Sequence, residues 1–214
     1  MSVVAALIVR DVRRAWSHGG ASLPIAFFLL VAILFPFAIG PDSVLLAQVG
    51  GGVIWAAALL AALLPVERLV APDAESGVLD QFAIRGMSMA AVAAAKIAAH
   101  WLSFGPPLML AALLAAGLLG IDRETLATVE LGLLIGTPGL AALAVATGAL
   151  VAGLRGASAL AGLVMLPVAV PLLIFGAGSI AGGPGAVKLL AAVSLLLLAG
   201  APFVAGAAIR AGRA

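Results

Sequence analysis

Six charged side chains, Glu67, Arg68, Asp73, Glu75, Asp80 and Arg85, fall between residues 65 and 88 of a chain that is almost continuous hydrocarbon on either side. With Gly77, Gln81 and Phe82 among them, they suit ion pairing and apolar anchoring against another surface. A stretch this polar does not lie in lipid, where an unpaired charge at mid-bilayer costs roughly 3 kcal/mol or more. It belongs in water on one face of a membrane, and reads as the surface through which a membrane protein meets a soluble partner.

Other residues that could do chemistry are scarce. The two lysines, Lys96 and Lys188, sit in no G-x-x-x-x-G-K-[ST] phosphate loop, so the chain carries no ATPase of its own. Proton- or ion-coupled transport needs an ionisable group deep in a helix bundle. Glu130 comes only five residues after Thr125, near a helix end, which leaves His100. His100 follows Lys96 by four residues on one helix face, and reads as a packed or interfacial polar residue, or else as a relay or ligand. One internal histidine with no Cys and no nearby carboxylate does not make a metal ligand set. Trp101 beside it reads as a flat neighbour for haem or, more simply, as an interfacial anchor. Trp16 and Trp55 stand apart from it and form no cluster. Thr137 and Pro138 lie inside a later apolar run. Pro167 and Pro171 mark either a mobile, partly unwound helix or a kink satisfied by its neighbours. Gly132 and Gly136 have helix-pairing spacing, which a Gly-rich chain also produces by chance. The expectation is no catalytic residue, no metal and no directly bound cofactor.

The elements that carry these residues follow from composition. Hydrophobic residues make up 64% of the chain and charged residues 9%, with a mean hydropathy of +1.29, whereas soluble domains are nearer a quarter charged. The apolar runs are too long for barrel strands of about 10 residues, so the class is all-α and polytopic. The 26 glycines let helices approach closely in lipid. The absence of Cys excludes disulfides, thiol exchange, thiolate ligation and covalent haem attachment through this chain. No basic run of the kind that grips phosphates accompanies the net charge of +2, so Lys and Arg read as topology signals and not as nucleic-acid contacts.

Wound at 100° per residue, residues 2–18 sort into an apolar arc of Val4, Ala5, Ile8, Val9, Val12, Ala15 and Trp16 and a polar arc of Arg10, Asp11, Arg13, Arg14, Ser17 and His18, with Leu7 the exception. A helix of this kind lies in the headgroup plane of the bilayer. The alternative, the charged start of a cleaved signal peptide, lacks a small-residue cleavage site after the next apolar run. Spans are expected at residues 23–39, 44–64, 89–120, 126–151, 157–177 and 187–208. Pro72 is expected to stop the second span from extending. Asp73 or Ser76 is expected to cap a short helix running to Arg85 and ended by Gly86, with Val78, Leu79 and Phe82 on one side. Lys96 is expected to snorkel at the interface, Pro106 and Pro107 to kink the third span, and residues 178–185 to form a flexible loop. The whole chain, 1–214, reads as one transmembrane domain. Six spans place both termini on one side. Arg10, Arg13, Arg14, Arg68, Arg85, Arg155, Arg210 and Arg213 share that side, against Arg123 and Lys188 on the other, so termini and segment 65–88 read as cytoplasmic. That segment is far longer than a connector needs.

The blocks FPFAIGPD (35–42), GGVIWAAALLAALLPVERL (51–69), GVLDQ (77–81), AKIAAHW (95–101), LIGTPGLAAL (134–143) and LPVAVPLLIF (166–175) resemble, in order, the recurring blocks of the CcmB family. Its members are the permease subunits of the ABC-type complex of cytochrome c maturation system I. The resemblance implies a type II ABC exporter fold in the bacterial inner membrane, with two copies of the chain on two copies of an ATPase subunit. It also implies a haem-handling membrane subunit, a small single-span subunit and a periplasmic haem chaperone as partners. Haem is then cargo of the complex, and ATP is held by the partner. Glu67, Arg68 and the segment from Glu75 to Gln81 become the ATPase-facing coupling element. Pro65 departs from the apolar or small residue expected before the ERL block. A type II permease for another hydrophobic substrate and a secondary transporter with no ATPase are the other readings.

Overall fold

The computed structural model describes residues 2–17, 19–154 and 156–212, and among these it is helical, with no strand. Helix α1 (Val3–Ser17) precedes α2 (Ser22–Ile39) and α3 (Ser43–Leu63). A 3-10 turn (Val66–Leu69) and the short helices α4 (Ala71–Glu75) and α5 (Val78–Ile84) follow. The chain ends with α6 (Met89–Leu118), α7 (Arg123–Val151), α8 (Ala157–Gly182) and α9 (Pro184–Ala211). Six of these, α2, α3 and α6 to α9, are long and apolar enough to cross a membrane, as composition required. His18, Arg155 and Arg213, which the sequence places on the polar face of α1 and on the cytoplasmic side, lie outside the described residues.

Local signals set the helix starts. The Asp42 carboxylate accepts from the backbone N–H groups of Val44 and Leu45 at 3.1 and 3.0 Å, and Asp122 accepts from Glu124 and Thr125 at 2.9 and 3.0 Å. The Ser88 hydroxyl accepts from Ala91 at 3.2 Å. Each satisfies N–H groups that a first helical turn leaves without partners.

Helix α7 is the centre of the bundle. Its most apolar window is 78% buried against 17% for α2, so α2 is peripheral and α7 is enclosed by protein. Small residues make this possible. Gly139 lies against Ser194 of α9, Gly148 sits under the backbone of Val66, and Gly206 of α9 lies against Ala90 of α6. Close approach of this kind, not hydrophobic drive, holds helices together in lipid.

Several expectations are corrected. Residues 178–185 are not a loop: α8 continues to Gly182 and only Gly183, at φ 64°, separates it from α9. In an apolar setting a continued helix satisfies its backbone where a loop would not. Pro167 and Pro171 likewise lie within a continuous α8. The second span ends at Leu63, before Pro65, and Pro72 stands in the first turn of α4, so it does not perform the stop. Trp55 lies in the core. It is 1% exposed, with Gly132 and Gly136 of α7 and Gly176 of α8 against its indole. A Cβ at Gly136 would fall 2.5 Å from the ring, so the Gly132/Gly136 pair is the flat seat of an aromatic side chain.

Candidate functional site

Segment 65–88 has two sides. Pro65, Val66, Val70, Asp73 and Leu79 turn inward, while Glu75, Asp80, Gln81, Ile84 and Arg85 face out, Arg68 is exposed at the rim of a cavity and Glu67 is half-buried. Gly77 adopts a left-handed φ of 71°, which breaks the expected single helix into α4 and α5, and Gly86, at φ 75°, follows the end of α5. The Ser76 hydroxyl donates back to the Pro72 carbonyl at 2.6 Å and caps nothing.

Asp73 is not a cap either. Its carboxylate, 2% exposed, receives Arg10 at 2.5 Å, Arg14 at 2.9 Å and the Lys96 ammonium. Asp11 receives Lys96 at 3.2 Å and pairs with Arg10 at 2.6 Å. Burying a carboxylate is expensive unless it is paired, and here three cations from α1 and α6 converge on it. Burial alone would raise the Asp73 pKa, but the charge and hydrogen bonds of Lys96 and Arg10 outweigh it and hold the carboxyl below its ordinary value. Burial also works against the Arg10 charge, and the hydrogen bonds and charges of Asp11 and Asp73 reverse the balance. Lys96 is 4% exposed, so it does not snorkel to water; two carboxylates meet it inside the protein.

This cluster reorients α1. The helix lies along α6, and its polar arc bears on protein through Leu7, Arg10, Asp11 and Arg14. Leu7, at 3% exposed, is the only buried side chain among its described residues and packs in one cluster with Val70, Leu79 and Met89. Val4, Val9 and Trp16 are exposed on the other side. Phe82 is half-buried with the Arg10 guanidinium 5.9 Å above its ring, so it braces α5 against α1. Ile84, 85% exposed, is the apolar side chain that α5 turns outward.

Behind the cluster lies a cavity of about 360 Å³, bounded by α1, the start of α2, residues 65–72 and α6. His100, 7% exposed, lines it, stacks on Phe104 at 5.6 Å, and has no hydrogen-bond partner at Nε2. Trp101 points elsewhere: its indole N–H donates to the Thr137 hydroxyl at 3.1 Å, tying α6 to α7. Trp101 and Pro138 also line a shallow apolar groove with Pro202 of α9. Pro167 and Pro171 line neither cavity. Among the described residues no three His, Cys, Asp or Glu side chains gather as a metal site would require.

Sequence reasoning passed over Arg10, Asp11 and Arg14, and placed Lys96 in the wrong environment. The available signals were Leu7 on an otherwise polar arc and a lysine seven residues into an apolar helix.

The family model described as CcmB protein matches residues 2–212, the polar segment and α1 included. The chain belongs to the CcmB family. Relatives in it include heme exporter protein B of Rhodobacter capsulatus, 44% identical over 151 residues, which are 70% of this chain and 69% of that one. The Bradyrhizobium diazoefficiens protein of the same name is 43% identical over 141 residues, 65% of this chain and 64% of that one. The Haemophilus influenzae protein is 40% identical over 160 residues, 74% and 72% of the two chains. For a CcmB chain, the structure adds a polar segment that is anchored inward by ions and left open outward.

Proposed function

We propose that this chain is the membrane permease subunit of an ABC-type haem exporter serving c-type cytochrome biogenesis. It couples ATP hydrolysis on a separate ATPase subunit to the release of haem or of a haem-loaded chaperone. Two copies pair in a type II exporter arrangement on two ATPase subunits, in the bacterial inner membrane with both termini cytoplasmic. The haem-handling subunit, the small single-span subunit and the periplasmic chaperone complete the assembly. Haem is cargo, ATP belongs to the partner, and this chain supplies no catalytic group.

The observation that carries this reading is the two-sided segment. A motor docked on the outward residues Glu75, Asp80, Gln81 and Ile84 has a firm path into the bundle, because Asp73 on the same segment is gripped by Lys96 of α6 and by Arg10 and Arg14 of α1. From α6 the path continues to the central α7 through Trp101 and Thr137. Coupling needs such a contiguous chain of packed and ion-paired elements.

The test is purification of the tagged chain from its native membrane. The expected result is an ATPase subunit in the complex, and haem whose release depends on ATP. A chain that purifies with no ATPase from membranes still making c-type cytochromes would favour a secondary transporter and overturn the reading.

A further inference from the structure

We infer that the cavity between α1, α2, the 65–72 turn and α6 is a binding site for an anionic amphiphile, with the phosphate headgroup of an acidic phospholipid as its ligand. Three observations converge. The first is charge. Arg10, Arg14, Lys96 and Arg68 surround the cavity and the ion cluster at its edge, against the carboxylates of Asp11 and Asp73, leaving two positive charges in excess. Arg68 enters none of the ion pairs found among the described residues, although it lines the cavity. A guanidinium is the side chain best shaped for bidentate phosphate recognition.

The second is the unpartnered Nε2 of His100, more than nine-tenths buried in the cavity wall. Of the buried side-chain polar atoms without a partner among the described residues, His100 Nε2 is the one in this cavity wall, where a ligand can supply the partner such atoms normally have. The third is the wall itself. Ala15, Ala21, Pro24, Leu69 and Phe104 line it beside the charged groups, so the space presents both charge and apolar wall. A volume of about 360 Å³ is within the range of small-molecule sites. A bare anion would use only the charged groups; a headgroup with its glycerol and first methylenes uses the apolar wall as well.

This site is distinct from the outward face proposed to meet the motor, and it sits where the amphipathic α1 joins α6. An acidic lipid held there would bridge Arg68 to the α1 cluster and brace the segment that carries the motor's push.

The experiment is native mass spectrometry of the purified full-length chain from nanodiscs of mixed phosphatidylglycerol and phosphatidylcholine. The expected result is selective retention of phosphatidylglycerol, reduced about tenfold by Arg68→Gln, and also reduced by Ala15→Leu, which adds bulk to the apolar wall. Thermal unfolding of each variant in detergent without lipid should match the parent, which separates loss of the site from loss of the fold. Inorganic phosphate, as a separate arm, should compete only weakly. Equal retention of both lipids, retention indifferent to Arg68→Gln in a folded variant, or full competition by inorganic phosphate would each overturn the inference.

Discussion

Lys96 and Asp73 form an ion pair in which the two side chains are only 4% and 2% exposed, joining the third spanning helix to the polar segment before it. Removing one member of such a pair leaves the other charged and buried, at a cost of about 3–5 kcal/mol. Asp73→Asn should therefore lower the thermal unfolding midpoint of the detergent-solubilised protein markedly. Asp73→Asn with Lys96→Met should recover part of the loss, because no orphan ammonium remains beside the site. A double mutant no better than Asp73→Asn alone would mean that the Arg10 and Arg14 contacts carry the stability.

The same carboxylate sets a pH window. The folded pKa of Asp73 lies below its ordinary value of 3.8, held there against burial by Lys96 and Arg10. A carboxyl depressed on folding contributes stability that is complete above its unfolded pKa and is lost as pH falls through the folded one. The stability gap between parent and Asp73→Asn should thus stay constant from neutrality down to about pH 5, begin to narrow near pH 4 and be lost as pH falls through the lower, folded pKa. Unfolding midpoints for both proteins across that range check the sign. A gap that widened in acid would contradict it.

Trp55 supplies a packing test. Gly136 offers its flat backbone to the indole, and a Cβ there would stand 2.5 Å from the ring. Gly136→Ala should cost about 1–3 kcal/mol, in the range of an overpacked core. It should also change the tryptophan fluorescence of the folded protein. Gly162→Ala, at a position on α8 with open space around it, is the control and should do neither.

The spans were legible because hydrocarbon thickness and composition leave helices few alternatives, and their observed bounds lie within a few residues of the expected ones except at the end of α8. The ion cluster was not legible, because it joins residues far apart in sequence: Arg10 and Asp73 are separated by 63 positions, Asp11 and Lys96 by 85. Amphipathic periodicity showed that α1 has two faces but not which one meets protein. Membrane and protein compete for both faces, and only the misfit Leu7 marked the buried side. The burial of Trp55 was illegible for a similar reason. Tryptophan's preference for interfaces is an average, and three glycines on two other helices made room for it inside.

His100 stacks on Phe104 inside the cavity, and among the described residues no group of three His, Cys, Asp or Glu side chains forms around it. His100→Ala should leave haem bound to the assembled complex. The Soret absorbance of complexes matched for subunit content is the readout. Loss of all haem from a complex that retains every subunit would make this histidine a ligand.

The outward face of α4 and α5 carries the last prediction. Glu75 and Asp80 are exposed acids and Ile84 is 85% exposed, whereas Phe82 is half-buried beneath Arg10. Under the proposed docking the apolar anchor is Ile84, whereas Phe82 braces α5 on α1. In water alone, exposed charges are worth little, so Glu75→Lys with Asp80→Lys should leave insertion and thermal stability near those of the parent. Against a partner they are worth more, since reversing a desolvated interfacial charge costs about 2–5 kcal/mol. The double reversal, with Ile84→Ala added, should abolish ATPase copurification or leave it intact while c-type cytochromes fail to mature. Phe82→Ala should instead lower stability, with docking lost only in proportion to the folded fraction. Normal maturation in the triple variant at normal expression would show that the motor grips the permease elsewhere and that segment 65–88 is only a brace between α1 and α6.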